Sequence, residues 1–201
     1  MRVRYPDNFN FGYDIVDDIG MNDPDRRAMV WCNENGDRRT FTFREIMVYS
    51  NKAANYLRSL GIGKGDMVIV SLKEDYQYWY VSVALHKIGA VLIPVTSMLT
   101  PHDAEYRVSR SSAKAVICTS HGKVTEAFEG IEKKCPSLKV KAMSNGKREG
   151  WLDLDAGIES SSEKMGRVPT KATDPCLIYF SSGTTGYPKM VLLDHRYPLG
   201  H

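Results

Sequence analysis

Apolar and polar positions alternate along this chain with two periods, and the switch between them outlines the fold. "RAMVWCNENGDRRTFTF" holds two extended runs around Asn33 to Asp37 and predicts a β-hairpin. Thr42 follows as an N-cap with Glu45 three residues later, a capping box. Ile46, Tyr49, Ala53, Leu57 and Leu60 then recur at helical spacing until Gly61 ends the helix. Beyond it, short apolar runs with no polar face alternate with amphipathic stretches. Strands are predicted at 67–72, 90–95, 114–119, 138–143 and 175–180. Helices are predicted at 75–89, 100–111 and 122–135, the second capped by Thr100 with Pro101 at its first position. Strands apolar on both faces need cover on both sides. The expected fold is therefore α/β, a mostly parallel sheet with helices on both faces and an N-terminal β-hairpin. The polar stretch 144–173 reads as a surface excursion with one short helix near 152–159, then a linker. No internal repeat is evident.

Composition narrows the class. Of 201 residues, 42% are hydrophobic and 25% charged, which suits a folded chain with a real core. The net charge of +3 is dispersed without a basic block, so neither nucleic acid nor an anionic membrane is an expected partner. No apolar run is long enough for a transmembrane helix, and the acidic N-terminus does not read as a signal peptide. Cys32, Cys118, Cys135 and Cys176 are scattered, with no CxxC pair for zinc or redox chemistry. That usage favours a reducing compartment, and a cytoplasmic location is expected.

The chemistry concentrates in "YFSSGTTGYPKMV", residues 179–191. A buried strand runs into Ser181, Ser182, Gly183, Thr184, Thr185 and Gly186, then Pro188 and Lys189. Glycines let backbone N–H groups approach phosphate oxygens, the hydroxyls add donors, and the lysine adds charge. A triphosphate suits that set; an ordinary Ser/Thr/Gly-rich surface turn is the other reading of the string. Only two residues separate Gly183 from Gly186 and Met190 follows Lys189, so this is not a Walker A loop. "GIGKG" at 61–65 precedes a strand instead of opening a helix, and reads as a plain turn. Tyr76, Tyr78, Trp79 and Tyr80 lack surrounding arginines and read as packing, not base stacking. His86 reads as packed or solvated, and His102 as solvent-facing.

The full string "IYFSSGTTGYPKMVLLDH" closely resembles the phosphate-loop signature of the adenylate-forming (AMP-binding) superfamily. "GIGKGDMVIV", "KIGAVLIPV", "LTPHDAEYRVSRSSAKAVI" and "TDPCLIYF" resemble its N-terminal segments in order, so the likeness covers most of the chain. Met190, where most members carry glycine, and "DHRYPLG" resemble the branch of acyl-CoA synthetases acting on medium-chain, short-chain or aromatic acids.

The resemblance implies an acid–thiol ligase that joins a carboxylic acid to ATP with Mg²⁺, releases pyrophosphate, and passes the acyl group to coenzyme A. It implies a nucleotide cradle of Ser181, Ser182, Gly183, Thr184, Thr185, Gly186 and Lys189, with Thr184 and Thr185 in direct phosphate contact. Lys189 either contacts phosphate or braces the loop. His195 lies at the family offset, either near a pocket or in a structural role. The family's adenine pocket, ribose-binding aspartate, metal-binding acid and late lysine all lie downstream of this loop. The chain thus matches only an N-terminal portion, with no catalytic residue and no metal ligand of its own, and is expected to be inactive alone. The expected division is 1–170 as one α/β subdomain and 171–201 as the start of a second. Apolar surface facing the downstream part is expected to be exposed, giving a homodimer or a disordered tail beyond about residue 180. The rival readings are a non-catalytic phosphate-binding or interaction module ending naturally at residue 201, and an adenylation domain serving a carrier protein.

Overall fold

A computed structural model describes residues 4–72, 74–181 and 186–200. A π-helical segment, Gly12–Asp17, runs directly into α1 (Asp18–Asn22). β1 (Arg27–Cys32) and β2 (Arg38–Thr42) form a separate antiparallel hairpin. Then come α2 (Phe43–Ser59), β3 (Met67–Ser71), α3 (Gln77–Ile88), β4 (Val91–Pro94), α4 (Pro101–Ser111), β5 (Ala115–Thr119) and α5 (Val124–Ala127). β6 (Val140–Ser144), β7 (Leu152–Asp153), α6 (Leu154–Glu159), β8 (Pro175–Ser181) and β9 (Lys189–Asp194) complete the order.

Seven strands form one sheet in the order β7-β6-β5-β3-β4-β8-β9. Neighbours run parallel except β8 and β9, which are antiparallel. The sheet has a core on each face, and period-two alternation decides which side each residue serves. Val68 and Val70 of β3 join Leu57, Leu85 and Leu154 on one face; Ile69 joins Val108, Val124 and Phe128 on the other. Helices α2, α3 and α6 cover the first core, and α4 and α5 the second. The α/β architecture, the hairpin and the two-sided helical cover are therefore as the sequence predicts.

Local signals act where expected. In α2, Thr42 Oγ1 accepts from the Glu45 amide at 3.2 Å and the Glu45 carboxylate accepts from the Thr42 amide at 2.8 Å. Thr100 and Asp103 make the same box at the start of α4. α3 ends on Gly89 at φ 71°, a left-handed conformation that favours glycine. α2 and α6 approach so closely that a Cβ on Gly157 would sit 2.1 Å from the Tyr56 ring, so any larger residue there would have to displace that ring.

Three segments differ from expectation. The helix expected over 122–135 is only α5 followed by a 3₁₀ turn at Ile131–Lys133, because Gly130 adopts φ 71° between them. β9, at Lys189–Asp194, is a strand where the sequence pattern predicts none. The Gly12–Asn22 helical segment carried no sequence signal; it is held by tertiary contact. Lys87, fully buried, meets Asp17 at 2.6 Å, Ser50 at 2.8 Å and Asn51 at 2.7 Å. Among the described residues no helix is long and apolar enough to cross a membrane.

Candidate functional site

In an open parallel sheet, ligand-binding loops leave from the carboxyl ends of the strands. β8 delivers the chain to that edge at Ser181, and β9 carries it back from Lys189. Ser181 and Lys189 are register partners, with the Ser181 hydroxyl 3.5 Å from the Lys189 carbonyl. Two of the sequence-predicted residues thus pair across the last rung of an antiparallel β8–β9 ladder. Gly186 holds φ 110°, open to glycine and strained for other residues. Lys189 is exposed, and among the described residues no ion pair occupies its ammonium. Ser182, Gly183, Thr184 and Thr185 lie outside the described residues.

The stems of this hairpin pack on α4, which sequence reasoning did not link to the loop. The Tyr106 hydroxyl donates to the Pro188 carbonyl at 3.0 Å. Its ring stacks on Tyr187 with centroids 4.8 Å apart. A tyrosine one turn after a capped helix start looks like any amphipathic position, so only the tertiary structure could reveal this link. A hollow of about 520 Å³ opens near the ends of β3 and β5, lined by Trp31, Asp75, Tyr76, Gln77 and His121; among the described residues of the β8–β9 hairpin none lines it.

His195 takes a structural position. It follows β9 by one residue, about 20 Å of extended chain from Lys189. It is fully buried, and its ring lies edge-on to His86 at 5.9 Å. Burial pushes the His86 imidazole down to about 4 and also lowers His195, against the pull of Asp174 and Asp194. Tyr76 and Tyr80 sit in a packed aromatic group with Phe41 and Tyr49, but not without an arginine as the sequence suggests, since Arg39 lies 5.0 Å over the Tyr76 ring. Trp79 stays 56% exposed. All four cysteines are free, and burial raises the Cys176 thiol to about 12. Among the described residues no group of three His, Cys, Asp or Glu could hold a metal.

The ribbon of β8 and β9 exposes large apolar side chains, with Tyr179 at 43%, Val191 at 43%, Leu192 at 55% and Tyr187 at 60%. Tyr179 and Val191 are register partners and share one face, whereas Leu192 points to the other, so the ribbon is apolar and exposed on both sides.

Known proteins share this arrangement. The acyl-coenzyme A synthetase ACSM4, mitochondrial, of Rattus norvegicus is 37% identical over 192 residues, covering 92% of this chain and 33% of that protein. The human ACSM5, mitochondrial, is 36% identical over 197 residues, covering 94% of this chain and 34% of that protein. The chain thus spans about a third of the length of these relatives. The anthranilate CoA ligase AuaEII, solved with anthranoyl-AMP, superposes with a TM-score of 0.81 at 26% identity, over 97% of this chain and 36% of its own. A Brucella canis acyl-CoA synthetase superposes with a TM-score of 0.83 at 23% identity and supports the fold.

These relatives correct one expectation. They are named as mitochondrial proteins, which overturns the cytoplasmic location inferred from cysteine usage. Scattered free thiols separate reducing from oxidising surroundings; they do not separate one reducing compartment from another. The family profile described as AMP-binding enzyme matches residues 17–200, from the N-terminal helical segment through the loop hairpin. The chain belongs to the AMP-binding enzyme family.

Proposed function

We propose that this chain is the N-terminal part of an ATP-dependent acyl-CoA synthetase, and that its β8–β9 hairpin holds the phosphates of ATP. The observation that carries the reading is the closure of the glycine-hydroxyl stretch by Ser181 and Lys189 at the carboxyl edge of the sheet. In the first reaction a carboxylate oxygen attacks the α-phosphorus of ATP, and pyrophosphate leaves as the acyl adenylate forms. Charge accumulates on the departing phosphates. N–H groups, hydroxyls and an ammonium fixed in advance stabilise that charge without reorganising. Ser181, Ser182, Gly183, Thr184, Thr185, Gly186 and Lys189 are the donor set, and their chemistry suits phosphate oxygens. Mg²⁺ bound with the nucleotide would supply further charge neutralisation on the phosphates. The coenzyme A thiol then attacks the acyl carbonyl of the adenylate, forming the thioester and releasing AMP as the acyl–phosphate bond breaks. Met190 and "DHRYPLG", with relatives of the ACSM group and an anthranilate ligase, favour a medium-chain, short-chain or aromatic acid.

The division near residue 170 belongs to this reading, with 171–201 opening a second subdomain that continues the sheet. The exposed ribbon of Tyr179, Val191 and Leu192 suits burial against further protein, either downstream chain or a second copy in a homodimer. It weighs against a closed phosphate-binding module.

The test is a titration of the ¹⁵N-labelled chain with MgATP and with pyrophosphate, alongside acid-dependent pyrophosphate–ATP exchange. Saturable shifts at Ser181, Gly186 and Lys189 without exchange are the expected result. No response at these amides to either ligand would overturn the phosphate assignment. Exchange by this chain alone would overturn the reading of it as an inert part.

A further inference from the structure

We propose that Tyr106 is a positioning residue for the phosphate loop, a strut from α4 that fixes both stems of the β8–β9 hairpin. This rests on the reading of that hairpin as a phosphate site.

The geometry is two-sided. Before the loop, the Phe180 ring lies 6.3 Å from the Tyr106 ring at 64°, next to Ser181. After it, the Tyr187 ring stacks on Tyr106 at 4.8 Å and 20°. The Tyr106 hydroxyl closes the set by donating to the Pro188 carbonyl at 3.0 Å. One side chain therefore touches the residue that leads into Ser181 and the two that lead into Lys189.

The base of the strut is fixed independently. Ala104 and Val108, on the inner side of α4, are fully buried in the core on that face of the sheet. The helix start is held by its Thr100–Asp103 capping box. Neighbouring residues of α4 brace the same stems. The Arg107 guanidinium lies 5.2 Å from the Phe180 ring and pairs with Asp103 at 3.6 Å. The His102 ring lies 6.0 Å from Tyr187.

The consequence for binding follows from entropy. A hairpin connection with free stems must lose conformational freedom when its donors converge on an anion. Tyr106 takes that cost for the two stems at folding, at Phe180 before the loop and at Tyr187 and Pro188 after it, and fixed stems are what electrostatic stabilisation by preset donors requires. The Pro188 carbonyl is the natural point of attachment. Proline's fixed φ transmits its orientation to Lys189, the next residue.

Two substitutions separate hydroxyl from ring. Tyr106→Phe removes the bond to Pro188 and keeps the stack; Tyr106→Leu removes both. Tyr56→Phe, which loses a 3.5 Å contact to the Asp153 carbonyl in a different part of the fold, is the control. The readout is pyrophosphate affinity from the Gly186 and Lys189 amides, with Tm measured on each protein. Tyr106→Phe is expected to weaken pyrophosphate binding about threefold or more, since one lost hydrogen bond corresponds to roughly that factor, while Tm falls only by the few degrees that the same bond is worth to folding. Tyr106→Leu is expected to weaken it further, and Tyr56→Phe to leave it unchanged. Equal affinity in the parent and both Tyr106 variants would overturn the strut while leaving the phosphate site standing. Affinity that falls only in step with Tm would mark Tyr106 as general packing, and overturn it too. If the parent gives no saturable response, the phosphate site itself has failed and the strut falls with it.

Discussion

Acidifying this protein from pH 7 to pH 5 should cost about 2 kcal/mol of stability through one histidine, His86. Its ring sits late in α3 against Phe11 at 6.4 Å and His195 at 5.9 Å. Part of the residue's surface is accessible, but both ring nitrogens are buried and have no hydrogen-bond partner among the described residues. The nitrogens are what titrate, so their burial decides the shift. Desolvation, and then His195, hold the imidazole down to about 4, against an ordinary 6.5. The unfolded chain therefore takes up the proton first. The stabilisation is present above about pH 6.5, falls as the pH drops through the window to about 4, and then stops changing. Across the full window the loss is about 3.4 kcal/mol, of which about 2 is reached at pH 5. His195, also lowered, adds a loss of the same sign. Asp14, Asp103, Asp174 and Asp194 are held below the usual carboxylate range, so their contributions fade only at lower pH. Asp17 is raised by burial and works the other way, so the parent's slope alone is ambiguous. The comparison with His86→Phe isolates the term. Urea unfolding at pH 7.0 and 5.0 should show the parent losing about 2 kcal/mol more than the variant, a difference of about 1 M in midpoint. If both proteins lose the same amount, the buried-imidazole account is wrong.

Three further outcomes are expected. Lys87→Met should destabilise the fold by about 3–5 kcal/mol, because it leaves the Asp17 carboxylate, otherwise 2.6 Å from the ammonium, without its partner. Denaturant unfolding measures this, and a loss under about 1 kcal/mol would show that the pair is solvated in practice. Thr100→Ala should cost about 1 kcal/mol by opening the cap of α4, again read from unfolding midpoints. Thiol titration of the native protein should find one fast group, exposed Cys32, and three slow ones, Cys118, Cys135 and Cys176; a second fast thiol would contradict their burial.

Much of the fold was legible because its causes are local. The Thr42 and Thr100 caps, the stop at Gly89 and the unbroken apolar strands each act within a few residues, and each is found where the sequence puts it. The glycine-hydroxyl signature was legible for the same reason, since its donors lie side by side in the chain. Gly130 shows the limit of periodicity. A helical pattern ran through it, but its left-handed backbone cut the helix to α5 and a 3₁₀ turn.

What the sequence determined by itself, then, was the set of elements, the α/β class and the one stretch whose composition suits phosphate. Tertiary structure decided the rest. The Gly12–Asn22 segment is helical because Asp17 meets a buried Lys87 seventy residues on. β9 is a strand because β8 offers it an antiparallel partner from Asp194 to Lys189. His86 and His195 form a pair only when α3 and the end of β9 converge. Tyr106 reaches the loop because β4 lies beside β8 in the sheet, bringing α4 beneath the hairpin. The physical reason is common to all four. Propensity, capping and periodicity are properties of neighbouring residues, whereas desolvation, strand pairing and contacts across the sheet depend on what the folded chain brings close.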